Sequence, residues 1–104
     1  MDKAKTTDEI IKACREAFDK FDFERVHALM IATDHTWGRF AGGPRVPTLG
    51  EVKNTVSYLI DKAIAEKRDG KDVTNQGTGG FSVYMFPWGV RITYNQAWCE
   101  ASSF

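Results

Sequence analysis

The stretch Phe81-Ser82-Val83-Tyr84-Met85-Phe86-Pro87-Trp88-Gly89-Val90-Arg91-Ile92-Thr93-Tyr94 decides how this chain folds. Two β-rich runs, Phe81–Phe86 and Val90–Tyr94, flank Pro87-Trp88-Gly89. Pro followed two positions later by Gly suits a type I turn closed by a left-handed glycine. A three-residue loop would group Tyr84, Phe86, Val90, Ile92 and Tyr94 on one face. A two- or four-residue loop would group Phe81, Val83, Met85, Val90, Ile92 and Tyr94 instead. Slippage by one residue exchanges the faces, and the pattern leaves both registers open. A two-stranded hairpin alone is marginal, so it must pack on helices, gain a strand or pair with another chain. Gln96–Phe104 is the candidate third strand, with Trp98 and Phe104 as anchors.

Upstream of the hairpin the chain reads as helical. Thr6-x-x-Glu9 is a capping box, and Ile10, Ile11, Cys14, Phe18 and Phe21 follow at helical spacing. Asp22 can cap a second short helix carrying Phe23, Val26, His27 and Met30 on one stripe, although neither Gly nor Pro marks a break there. Thr48-x-x-Glu51 repeats the box after Pro47. Leu49, Val52, Val56, Leu59, Ile60, Ala63 and Ile64 then form a continuous apolar face, and Lys67, Arg68 and Gly70 suit its end. The expected fold is α+β: two or three N-terminal helices packed on a C-terminal antiparallel hairpin or small three-stranded sheet.

The 104 residues fit one domain. Fourteen basic and fourteen acidic side chains cancel, which argues against bulk nucleic-acid binding. The cancellation is local only in parts. Residues 1–36 hold six basic and eight acidic groups, residues 37–50 hold Arg39 and Arg45 with no acid, and residues 73–104 hold only Arg91 and Glu100. The uncharged run 73–90 is broken by four glycines and Pro87, so a membrane span is not expected. Two cysteines, Cys14 and Cys99, make no disulfide framework or metal motif. A cytoplasmic protein without cofactor or metal is the expectation.

Three features could carry chemistry. The loop Asp34–Pro47 holds Trp37, Phe40, Arg39 and Arg45 among glycines, and long loops in small domains are often functional. Arginine presents a planar fork to phosphate or carboxylate, and the aromatics present stacking surfaces. The alternative is that Trp37 and Phe40 close the core while the arginines are solvated. The glycine-rich segment Gly70–Gly80 could turn backbone N–H groups toward an anion, but it has neither Walker nor Gly-x-Gly-x-x-Gly order and reads more readily as a flexible linker leading into a strand. The ligand-binding candidates are therefore Trp37, Arg39 and Arg45, with Lys71 and Thr78. The third feature is the aromatic density of the C-terminal third, whose candidate interface residues are Trp88, Tyr94 and Trp98, implying a homo-oligomer or a protein partner. His35 beside Asp34 would be the pair of a small hydrolase, without an identifiable nucleophile.

Asp22-Phe23-Glu24-Arg25-Val26-His27, Trp37, Pro47-Thr48-Leu49 and Thr78-Gly79-Gly80-Phe81 together resemble small proteins encoded by bacteriophages and prophages, over residues 18–86. The resemblance implies a counter-defence role in the host cytoplasm, by covering a host protein or sequestering a nucleotide-derived immune signal. It transfers no functional residue. The expectation is a non-enzymatic binding protein for a small anionic, nucleotide-like ligand or a host protein, with the His35/Asp34 hydrolase or a structural or assembly protein as the alternatives.

Overall fold

The computed structural model describes residues 4–95 and 99–104. Three helices, α1 (Thr7–Lys20), α2 (Phe23–Ala32) and α3 (Leu49–Arg68), precede four strands, β1 (Asn75–Thr78), β2 (Phe81–Phe86), β3 (Gly89–Tyr94) and β4 (Cys99–Ser103). The strands form one antiparallel meander in the order β1-β2-β3-β4. The class is α+β as expected, but the sheet has one strand more than the largest sheet anticipated.

Both capping boxes form. Thr6 accepts from the Glu9 N–H at 3.2 Å and the Glu9 carboxylate accepts from the Thr6 N–H at 3.0 Å. Thr48 and Glu51 repeat the exchange at 3.2 and 2.9 Å. Between α1 and α2 the break is real without Gly or Pro. Phe21 turns to extended backbone, and the Asp22 carboxylate accepts from the Arg25 N–H at 3.1 Å to cap the new helix. Phe18 and Phe21 each set a ring 4.9 Å from Phe23, which gives that corner an apolar hinge. Helix α3 ends in a Schellman motif: Gly70, at φ +80°, donates to Lys67, and Lys71 donates to Glu66.

The hairpin β2–β3 pairs Phe86 with Gly89, leaving a two-residue Pro87-Trp88 turn. This decides the register. Phe81, Val83, Met85, Val90, Ile92 and Tyr94 are all buried on one face, against Val52, Val56, Ile10 and Val26. Gly89 is not left-handed, contrary to the turn type expected. It is glycine for a steric reason: a Cβ there would sit 2.5 Å from the Ser103 carbonyl oxygen.

The left-handed glycines lie in the preceding segment instead. Gly79 (φ +60°) and Gly80 (φ +89°) bridge Thr78 and Phe81 as a two-residue hairpin turn with positive φ at both central residues. The glycine-rich segment is therefore not a linker throughout. Its second half is β1, an exposed edge strand whose sequence, Asn75-Gln76-Gly77-Thr78, has no apolar alternation to announce it. Helix α3 lies over β1 and β2, and α1 lies over β3 and β4. The Ser103 hydroxyl donates to Glu16 at 2.6 Å and Gln76 donates to Glu66 at 2.6 Å, tying the two edge strands to α1 and α3 respectively. Strand β4 is the expected third strand; Phe104, 54% exposed, lies against Gly89 and Arg91 and does not enter the core. Trp98 lies outside the described residues.

Candidate functional site

The loop between α2 and α3 is folded back on itself. Trp37 donates to the Arg45 carbonyl at 2.8 Å and accepts from the Arg45 N–H at 3.2 Å, a single β-bridge that closes the loop at its base. Asp34 enters it in the left-handed region, and Gly42 and Gly43 turn its tip with φ +89° and +109°. His27 Nε2, on α2, lies 2.9 Å from the Pro47 carbonyl and holds the exit strand of the loop to the helix.

Inside this frame Trp37 is fixed from several sides. Its ring stacks on Phe40 at 6.4 Å, meets Phe81 edge-on at 6.5 Å and abuts Gly79, where a Cβ would lie 2.8 Å from the indole. The glycine of the β1–β2 turn is thus required twice, by its positive φ and by the indole against it. The Arg39 guanidinium carbon sits 4.7 Å from the Trp37 ring centre, and Nη2 donates to Thr55 Oγ1. Thr55 in turn donates to the Glu51 carbonyl at 3.0 Å, the turn below it in α3.

These parts surround a cleft of about 280 Å³ lined by Thr36, Trp37, Gly38, Arg39, Thr55, Thr78 and Gly79. Two properties mark it. Trp37 is only 8% exposed, and its Nε1–H is the one buried side-chain polar atom without a hydrogen-bond partner among the described residues. An orphaned buried donor costs about 1–3 kcal/mol, and this one is covered by its own neighbours, Gly79 among them. Arg39, moreover, has no carboxylate within ion-pair distance among the described residues; its partners are a hydroxyl and aromatic faces.

The structure therefore brings together three of the five ligand-binding candidates: Trp37, Arg39 and Thr78. Arg45 does something else. Its fork grips both Glu51 carboxylate oxygens at 2.7 and 2.9 Å, and its guanidinium carbon lies 3.7 Å from the centre of the Phe40 ring. That pairing, with the Thr48 N–H, holds the Glu51 carboxyl down to about 2. Arg45 closes the loop onto α3 rather than facing the cleft. Lys71 is exposed beyond the end of α3, outside the cleft; only its backbone has an assignment, in the helix cap.

Thr55 was not among the candidates, yet it positions Arg39. The signal for it exists: it is a hydroxyl set inside the apolar face Val52-x-x-Thr55-Val56-x-x-Leu59. Tyr94, expected at an interface, is 1% exposed in the core, with its hydroxyl against His35 Nδ1. His35 is thereby paired with Tyr94, and among the described residues no hydrogen bond joins it to Asp34. Among the described residues no group of three His, Cys, Asp or Glu side chains could hold a metal. No helix among the described residues is long and apolar enough to cross a membrane. Burial pushes the Cys14 thiol up to about 11 and raises that of Cys99.

These residues define a cleft on a two-layer α+β scaffold. Comparison with protein-family models, with curated proteins and with solved structures gives no match.

Proposed function

We propose that this protein is a non-enzymatic binding protein whose cleft beside Trp37 takes a small anionic ligand with a planar, acceptor-bearing part, a nucleotide-like molecule being the class that offers both. The observation that carries the reading is a cleft that sets Arg39, which has no acidic partner among the described residues, over the Trp37 ring. Arg39 supplies positive charge and a planar fork for phosphate. Thr78, Thr36 and the backbone around Gly38 and Gly79 supply short polar contacts at the rim. Sequestration of a nucleotide-derived signal, the use implied by the resemblance to bacteriophage proteins, requires this kind of site and no catalytic group.

A thermal-shift screen against nucleotides and cyclic dinucleotides tests it. A ligand at 100 times its Kd adds about 2.7 kcal/mol of stability, and a domain of this size gains about 4–8 °C per kcal/mol. The active compound should thus raise Tm by at least roughly 10 °C under those conditions. Arg39→Ala should weaken binding about 10- to 150-fold, the loss of a charge-assisted hydrogen bond. Lys71→Ala should leave affinity unchanged. A flat screen, or an Arg39→Ala variant that binds as wild type does, sinks the proposal.

A further inference from the structure

The helices cover one face of the sheet. On the other, Tyr84, Phe86 and Trp88 line up along β2 and its turn, with ring centres 6.3 and 5.5 Å apart and planes within 7° and 4° of parallel. Phe104 joins them through Arg91, whose guanidinium carbon lies 5.8 Å from the Phe86 ring and 5.9 Å from the Phe104 ring. Trp88 is 43% and Phe104 54% exposed, and among the described residues no element packs on this face. Exposed aromatics on a flat sheet are costly to leave in water and are typical anchors of interfaces.

We infer that this open sheet face is the contact surface of a homodimer, formed by a second copy of the chain packing its own Tyr84–Phe86–Trp88 row against the first across a two-fold axis. Charge selects the occupant. The face carries one cation, Arg91, and one anion, Glu100, in a loose 3.9 Å pair with both side chains more than two-fifths exposed. A polyanion such as single-stranded nucleic acid needs a basic groove, which one paired arginine does not make. A copy of the same face turned by 180° offers the complementary charge to each group, and the axis repeats every such contact twice.

Area sets the strength expected of this contact. Strands about 4.8 Å apart rising about 3.3 Å per residue make a four-stranded face roughly 19 by 20 Å, a footprint of about 380 Å². With Tyr84 and Phe86 already half-buried and Trp88 and Phe104 about half exposed, the face falls below the roughly 800 Å² per partner of a standard interface, which fits a dimer that dissociates readily on dilution. The parallel ring row is already ordered, so docking loses little rotamer freedom. This surface lies on the face of the sheet opposite the helices and does not depend on what occupies the Trp37 cleft.

Sedimentation equilibrium of the full chain from about 1 μM to about 1 mM, the range in which such interfaces dissociate, should give twice the 11.7 kDa chain mass at the upper end. The Trp88→Glu/Phe104→Glu double variant, altered at two exposed positions, should keep the wild-type circular dichroism and sediment as one chain throughout. Arg91→Glu should raise the dimer Kd at least about tenfold, and Arg91→Glu with Glu100→Arg should return it toward wild type, because opposite charges again face each other across the axis. Monomeric wild type at every concentration overturns the inference. So does a dimer that survives the double variant, or a monomer that instead binds a labelled oligothymidylate in an Arg91-dependent way.

Discussion

Replacing Gly89 by alanine puts the reading of the sheet to a direct test. The added Cβ would fall 2.3 Å from Phe104 Cδ1, 2.5 Å from the Ser103 carbonyl oxygen and 2.9 Å from Phe104 Cα. The ring is half-exposed and can swing away at little cost. The other two atoms are backbone, and the carbonyl must retreat by about half an ångström to reach even a tight contact. Ser103 is also the residue that pairs with Val90 at the end of the β3–β4 ladder and donates to Glu16 on α1. Moving it therefore weakens both the edge-strand pairing and its tie to the helix layer. Overpacking of this kind costs about 1–3 kcal/mol, a lost ladder bond adds about 1 kcal/mol, and the smaller entropy of the unfolded alanine chain returns about 0.4–1 kcal/mol. A net loss of about 1–3 kcal/mol should lower Tm by roughly 5–20 °C in a domain of this length. Gly50→Ala is the control: Gly50 is in the first turn of α3, at negative φ, with nothing within 4 Å of its would-be Cβ. It should be stabilised by about 0.4–1 kcal/mol. Thermal unfolding of both variants beside wild type decides the matter; a Gly89→Ala protein as stable as wild type would refute the close approach of β4.

Two further outcomes follow from the charges and thiols. Glu51 has its pKa lowered from the ordinary 4.5 to about 2, first by the Arg45 fork and then by the Thr48 N–H. A depressed carboxylate contributes stability that is complete above its unfolded value and lost as pH falls through the folded one, so the urea midpoint should drop between about pH 4.5 and about pH 2. In Glu51→Gln that drop should be visibly shallower, with the remainder belonging to Glu9 and Glu16, which are lowered by Thr6 and Ser103; an identical pH profile would remove the Arg45–Glu51 assignment. Cys14 should be silent to a disulfide reagent at pH 8 in the folded protein, since a thiol raised from 9.0 to about 11 has about 100-fold less thiolate. Cys99, also raised by burial, should react more slowly than a free thiol, and both should react at once in denaturant. Prompt titration of Cys14 in native buffer would contradict its burial between α1 and α3.

How far the sequence led can be argued element by element. Helices were legible because their ends are written locally: Thr6 with Glu9, Asp22 with Arg25, and Thr48 with Glu51 each state a cap within four residues. The hairpin was legible as two strands, but its register was not. Pro87-Trp88-Gly89 fits turns of different length, and what removed the ambiguity is a neighbour from β4, distant in the chain. Strand β1 was hidden for the opposite reason. Asn75–Thr78 buries almost nothing, so periodicity could not find it; its pairing rests on the Gly79-Gly80 turn, a short-range signal read there as flexibility. At the site, Trp37, Arg39 and Thr78 were named from residue type. Arg45 was named on the same grounds and belongs instead to Glu51, a partner that sequence separation alone does not reveal.

The hidden strand and the cleft are one problem. Thr78 and Gly79 reach Trp37 only because β1 pairs with β2 and the turn between them folds over the indole. Trp37 in turn belongs to the hydrophobic core, touching Phe81, so the floor of the cleft is also load on the fold. Substituting Trp37 must lower stability and binding together, and such a variant cannot separate the two. Arg39 can. It is exposed at the rim, its hydrogen bond is to Thr55, and its side chain lies over the indole instead of under it. A ligand that gains the Arg39 fork must compete with the indole face for it, whereas the Nε1–H is covered in the free protein and an acceptor could reach it only by opening the packing around Gly79. The charge that reaches exposed Arg39, more than any acceptor near Trp37, should therefore set which ligands bind.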